Sequence, residues 1–83
     1  MERIIGKYMI DCTKEEISED NFRKHDFIID FAPIFTIIHG DELSFRQAKI
    51  LRYSTEEKQI TDILKEIIQS RFRGLSSLKL LVE

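Results

Sequence analysis

The sequence predicts a small α+β domain with the ferredoxin-like element order β-α-β-β-α-β around one antiparallel sheet. Three observations favour this fold. Residues 3–12 alternate between two phases of side chains, residues 27–39 are apolar and rich in β-branched and aromatic side chains, and residues 55–73 carry apolar side chains at helical spacing. We expect the 83 residues to form a single domain over residues 1–83, near the lower size limit for one hydrophobic core.

The first strand is predicted over residues 3–12, because a period of two is typical of a half-buried strand. One phase is expected to face the core, and it holds Ile4, Tyr8, Ile10 and Cys12. The other phase is expected on the open face of the sheet, and it holds Arg3, Lys7 and Asp11.

The polar segment 13–26 predicts only a short helix or a helical turn. Thr13 and Glu16 have the spacing of a capping box, which favours a helix start. Ile17 and Phe22 are its only apolar side chains, however, and two residues do not make a wide buried stripe. The first helix of the predicted fold is therefore stunted.

The second strand is predicted over residues 27–39, where apolar side chains occupy both phases. Pro33 lacks a backbone donor, so we expect this strand at the edge of the sheet, or bulged near Pro33. Gly40 and Asp41 have the pattern of a two-residue type II′ hairpin turn, with glycine first. Residues 42–53 would then return as the third strand.

Residues 42–53 also have a competing interpretation as a helix. Ser44 and Gln47 have capping-box spacing, and good helix formers follow them. The alternative fold is therefore a β-hairpin followed by two consecutive helices, residues 45–53 and residues 55–73.

The helix over residues 55–73 is the clearest predicted element. Ser54 and Glu57 have the spacing of a capping box, and Gly74 follows as a stop signal. The face expected to be buried holds Ile60, Ile63, Leu64, Ile67, Ile68 and Phe72. Alternating leucine and valine side chains then predict a short last strand over residues 77–82.

The predicted fold leaves one face of the sheet open and places an apolar strand at its edge. An apolar edge strand invites pairing with another chain unless segment 14–26 covers it. We therefore expect this surface to bind another protein or a second copy of the chain. The residues predicted to bind the partner are Phe35, Ile37, Arg46 and Arg52. The candidate phosphate contacts on the same basic face are Arg3, Lys7 and Lys79.

Composition excludes several classes of protein. Thirteen Lys and Arg against 15 Asp and Glu give a net charge of −2, which excludes a histone-like polycation. The single cysteine, Cys12, excludes an internal disulfide framework and a cysteine zinc site, and neither His25 nor His39 has the spacing of a metal ligand. No cofactor is predicted. No run approaches the roughly 18 apolar residues of a membrane span and the N-terminus lacks a signal-peptide pattern, so we expect a cytoplasmic protein.

Catalytic chemistry has two weak candidates, and no catalytic residue is predicted. Cys12 precedes a possible helix start, where a thiol pKa can be lowered, but its phase points inward. Asp11 resembles in position the strand-end aspartate of small ferredoxin-like nucleases. The arginine-bearing long helix that follows this strand in those nucleases is missing here, so their activity is not inferred.

The sequence thus favours a non-enzymatic protein–protein interaction module, in the class of small regulators or inhibitors that phages and plasmids encode. Its predicted partner is another protein, or itself as a homodimer. The alternative is a nucleic-acid-binding regulator that uses the basic face. RNA-recognition modules stack bases on aromatic side chains of their central strands, whereas Tyr8 and Phe45 are predicted to face the core here.

Overall fold

The computed structural model describes residues 1–71. Its four strands come first in the chain: β1 (Glu2–Ile5), β2 (Tyr8–Asp11), β3 (Asp26–Phe31) and β4 (Ile34–His39). Each strand pairs antiparallel with the next, so the sheet order is β1-β2-β3-β4. Two helices follow, α1 (Phe45–Tyr53) and α2 (Glu57–Arg71). The small α+β class is confirmed, but the ferredoxin-like order is wrong, because all four strands precede both helices.

The segment predicted as the first strand is a hairpin. β1 and β2 are joined by Gly6 and Lys7, with Ile5 paired to Tyr8. Gly6 has φ +58°, which glycine adopts without steric cost at the first position of a type II′ turn. The two-residue turn changes the phase of the alternation, so Tyr8 is buried as predicted whereas Ile4 is exposed.

The apolar segment 27–39 is also a hairpin rather than one strand. The chain reverses at Ala32 and Pro33, which are joined by a cis peptide bond, and Phe31 pairs with Ile34 across the turn. Because Pro33 lies in this turn, its missing N–H removes no bond from either strand. β4 lies at one edge of the sheet, as predicted for this segment.

Residues 42–53 form a helix, as in the competing interpretation, and not the predicted third strand. Gly40 begins a short 3-10 turn, Gly40–Glu42, in place of the predicted hairpin turn. The capping box of α1 is complete, since Gln47 N donates to Ser44 Oγ at 3.1 Å and Ser44 N donates to Gln47 Oε1 at 2.9 Å. The two-helix part of the alternative fold is therefore confirmed, beside a sheet of four strands rather than two.

The connection between β2 and β3 contains no α-helix. Its one helical piece is a 3-10 turn, Phe22–Lys24, and Thr13 starts no helix. Ile17 and Phe22 are nevertheless buried, and the Phe22 ring packs on the Phe45 ring with centroids 5.5 Å apart. The segment thus packs beside α1 and leaves Phe35 of β4 exposed.

Helix α2 closes the core as its spacing predicts. Ile60, Ile63, Leu64, Ile67 and Ile68 are buried. Before its first turn, Ser54 Oγ accepts a hydrogen bond from Glu56 N at 3.1 Å. The predicted face residue Phe72, the stop signal Gly74, the strand 77–82 and Lys79 lie outside the described residues.

The core lies between one face of the sheet and the two helices. The sheet contributes alternate residues of each strand, and the Tyr8 hydroxyl lies 2.9 Å from Thr61 Oγ1 of α2. No helix within residues 1–71 has the length and apolar character needed to cross a membrane. The fully buried large side chains are Tyr8, Phe27, Ile10, Ile29, Ile38, Leu51, Ile60 and Leu64.

Gly40 fixes the approach of the β4 end to the 22–25 turn, and its replacement tests this packing. A Cβ at position 40 would lie 1.9 Å from Phe22 O and 2.7 Å from His25 O, both backbone atoms. We expect Gly40→Ala to lower the free energy of unfolding by about 1–3 kcal/mol, the usual cost of overpacking.

Urea unfolding with an unchanged slope measures this loss. Ser70→Ala, at an exposed position of α2, is the matched control and should change stability by less than about 0.5 kcal/mol. Equal stability of the Gly40→Ala variant and the control would show that the contact yields without cost.

Candidate interaction surface

The face of the sheet that points away from the helices carries two rows of side chains across all four strands. One row runs Ile4, Met9, Asp30 and Phe35, since each is the direct partner of the next. The second row runs Glu2, Asp11, Ile28 and Ile37 in the same way. Opposed residues share a face, so these eight side chains form one continuous surface, which we call the open face.

The open face is unusually apolar for an exposed surface. Ile4 is 74% exposed, Phe35 62% and Ile37 41%, while Met9 and Ile28 between them are half-buried. Scattered exposed apolar residues are ordinary, but a contiguous patch marks a binding surface more often than chance.

The charged side chains on this side of the sheet are mainly acidic. The outward strand positions hold Glu2, Asp11 and Asp30 of the open face and, beside it, Asp26, and they hold neither Lys nor Arg. Asp30 lies between Met9 and Phe35, where its Oδ1 accepts a hydrogen bond from Ala32 N at 3.1 Å. The basic open face that the sequence predicts is therefore wrong.

Two of these carboxylates have a positive neighbour. The Met1 ammonium lies 2.8 Å from Asp11 Oδ1, and this hydrogen bond lowers the pKa of Asp11. Asp26 Oδ1 lies 2.8 Å from His39 Nδ1, and that contact raises the pKa of His39. Glu2 and Asp30 form no ion pair within residues 1–71.

The outer edge of β4 is partly closed by the end of α2. Arg71 donates to Ile37 O at 2.9 Å and to Thr36 Oγ1 at 2.9 Å, and it forms an ion pair with Glu42. Glu42 also accepts from His39 N at 2.8 Å. Since these contacts occupy backbone groups that a new strand would need, they disfavour strand addition at this end of β4.

The structure separates six of the seven residues predicted to form one site, and the seventh, Lys79, lies outside the described residues. Phe35 and Ile37 lie on the open face, as predicted. Arg46 lies on α1 beside Lys49, in a shallow groove between the two helices. Lys7 lies in the β1–β2 turn. Arg46 and Arg52 are not on the sheet because residues 45–53 are helical.

Arg3 and Arg52 point into the protein on the helix side. Arg3 Nη1 donates to Ser54 O at 2.8 Å and Nη2 donates to Leu51 O, so Arg3 caps the end of α1. Arg52 is buried, because the helical period places it on the same face as Ala48 and Leu51. The predicted placement of both arginines on the open face is wrong.

Cys12 and Asp11, the two candidate catalytic side chains, do not form a reaction centre among the described residues. Cys12 Sγ lies 3.8 Å from His25 Nδ1, but burial raises the pKa of the thiol and so disfavours the nucleophilic thiolate. Asp11 points to the open face. Within residues 1–71, no group of three His, Cys, Asp or Glu side chains is arranged to hold a metal ion.

Ile4, Met9, Ile28 and Asp30 also belong to the open face, although the sequence patterns did not predict them as binding residues. The signal that could have found them is the pair of tight turns at Gly6 and Pro33. Each turn changes which residues share a face, so the two hairpins together place these four side chains beside Phe35 and Ile37.

Comparisons with protein-family models, with curated proteins and with solved structures find no match to this chain.

The Glu42–Arg71 ion pair predicts a pH-dependent part of the stability. Arg71 lowers the pKa of Glu42, so the pair stabilises the fold above the ordinary pKa of glutamate, and the contribution is lost as the pH falls through the folded pKa. We expect Glu42→Gln to unfold more easily than the parent at about pH 7, by up to about 1 kcal/mol.

The difference should shrink at about pH 3, because the carboxylate is then mostly protonated in the unfolded chain and increasingly in the folded one. Urea titrations of both proteins at the two pH values measure it. A difference that is the same at both pH values would exclude the ion pair as its cause.

Proposed function

We propose that this chain is a non-enzymatic protein-binding module that uses the open face of its sheet. The observation that carries the proposal is that Ile4, Phe35 and Ile37, three of the most exposed large apolar side chains, share one face. Transfer of such side chains from water to a protein interface contributes about 1.5–3 kcal/mol each, which favours association.

The partner is a protein that presents apolar side chains bordered by Lys or Arg. This follows from charge complementarity, since the strand positions on this side of the sheet carry four carboxylates and neither Lys nor Arg, and the one histidine among them, His39, is paired with Asp26. Asp30 and Glu2 would then pair with the partner's cations, which also orients the complex. Self-association through two open faces would instead place these carboxylates near one another, so we favour a different protein over a second copy.

A role as a small regulator or inhibitor fits such a module, because one binding face is sufficient to occupy a partner's surface. The proposal includes the phage- or plasmid-encoded class predicted from the sequence. Catalytic roles for Cys12 and Asp11 are disfavoured by the buried thiol and by the bond of Asp11 to the Met1 ammonium. A nucleic-acid-binding role through Arg46 and Lys49 is the alternative, supported by their position in one groove.

Substitution on the open face should abolish binding without unfolding the protein. We expect Phe35→Ser and Ile37→Lys each to weaken capture of the partner at least tenfold. Each substitution removes an apolar side chain whose burial contributes more than about 1.4 kcal/mol to the binding free energy. The tagged chain is used to capture partners from lysate of the source cells, with and without nuclease treatment. Circular dichroism of each variant checks that the helices are intact.

Charge is tested separately. Asp30→Asn keeps an oxygen that can accept from Ala32 N but removes the negative charge, and it should weaken capture and reduce its salt dependence. Glu19→Gln, an exposed carboxylate in the β2–β3 connection, is the matched control and should bind like the parent.

Each outcome decides the proposal. A captured protein that is lost with Phe35→Ser and kept with Glu19→Gln supports it. Capture that disappears with nuclease treatment and depends on Arg46 would favour the nucleic-acid role instead. Dimers that Ile37→Lys dissociates, with no other protein captured, would replace the foreign partner by a second copy.

A further inference from the structure

Arg52 is a buried cation with no carboxylate partner among residues 1–71. It is 6% exposed, and its Nε has no hydrogen-bond partner. None of the ion pairs in the described part of the chain includes it. The Arg52 guanidinium lies over the Tyr53 ring, with its carbon 4.9 Å from the ring centroid. Arginine is almost never fully buried unless it is paired, so this side chain calls for a counter-ion.

A second guanidinium lies against the same turn of the helix. Arg3 donates to the carbonyls of Leu51 and Ser54, which flank Arg52 in the chain. Burial and the positive charge of Arg52 both lower the pKa of Arg3, because each disfavours its charged form. The hydrogen bonds of Arg3 in the described chain use two of its five N–H donors, and none goes to a carboxylate.

The neighbouring side chains do not supply the missing negative charge. Cys12 lies close enough for the charge of Arg52 to act on its thiol, yet burial raises the pKa of that thiol and keeps it neutral. His25, 2% exposed, has Nδ1 2.5 Å from Thr13 Oγ1 and 3.8 Å from Cys12 Sγ. Neither group supplies a negative charge, so among the described residues no anion accompanies Arg3 and Arg52 at the C-terminal end of α1.

We propose that Arg3 and Arg52 form a binding site for a small oxyanion, with phosphate as the ligand class. Guanidinium groups pair with the oxygens of such anions through parallel N–H donors, and the near-dianionic charge of phosphate matches two arginines. The burial of Arg52 restricts the site to a small anion or to the terminal phosphate of a monoester. This site faces the helices and is independent of the open face, so either proposal can fail alone.

The test measures thermal unfolding of the full chain with increasing inorganic phosphate, at constant ionic strength maintained with chloride. We expect Tm to rise with the logarithm of the phosphate concentration once this exceeds Kd, by about 5–10 °C at roughly ten times Kd. Arg52→Met keeps most of the side-chain volume and should weaken phosphate binding at least tenfold, as should Arg3→Met. Lys58→Met, at an exposed position of α2, is the matched control and should keep the parent response.

The dependence of Tm on phosphate distinguishes a specific phosphate site from general stabilisation by salt. A rise that is linear in the phosphate concentration, or that is equal in the Arg52→Met variant and the parent, would overturn the proposal, because it would reflect general salt stabilisation. An equal rise with acetate would overturn phosphate as the preferred ligand. If Arg52→Met fails to fold, phosphorus NMR titration of the parent and of Arg3→Met decides, and no binding to the parent would end the proposal.

Discussion

The packing of both helices against one face of a four-stranded sheet is the constraint on which the other features depend. Alternate residues of each strand point to opposite faces, so burying Tyr8, Phe27 and Ile38 under the helices necessarily turns Met9, Ile28 and Ile37 outward. Within residues 1–71 nothing covers that second face fully. Because the strand sequences are apolar in both phases, apolar side chains lie on this face as well as in the core. They give the sheet a surface suited to binding.

The same constraint explains why the basic side chains do not form one surface. Lys and Arg are absent from the outward strand positions. Arg3 of β1 points to the helix side, where it caps α1, Arg52 is buried on that side, and Arg71 contacts the outer edge of β4. The partner that we propose for the open face is therefore basic, whereas the ligand that we propose for Arg3 and Arg52, on the other side of the sheet, is an anion. Because the two proposed surfaces lie apart, each can be altered alone.

Local patterns predicted α2 well, indicated α1 only as the alternative to a third strand, and predicted the sheet topology poorly. The capping box at Ser44 and Gln47 and the spacing of Ile60, Ile63 and Leu64 are local signals, and both helices follow them. A tight hairpin turn leaves little local signal when alternation continues through it, so the turns at Gly6 and Pro33 were interpreted as strand interior. The exposure of Phe35 and Ile37 was predicted because both lie in one unbroken strand with Ile38, after the turn at Pro33. Ile4 precedes the turn at Gly6 and therefore lies on the face opposite to Tyr8. Which cations share a surface depends on this topology, so Arg3 and Arg52 were misplaced.

The central claim, that the open face is the binding surface, is tested most directly by NMR with the isotope-labelled chain and its captured partner. The account predicts that the largest shift changes fall on Ile4, Met9, Ile28, Phe35 and Ile37, with Arg46 and Lys49 unaffected. Shift changes concentrated on Arg46, Lys49 and the groove between α1 and α2, with the open face unchanged, would contradict it.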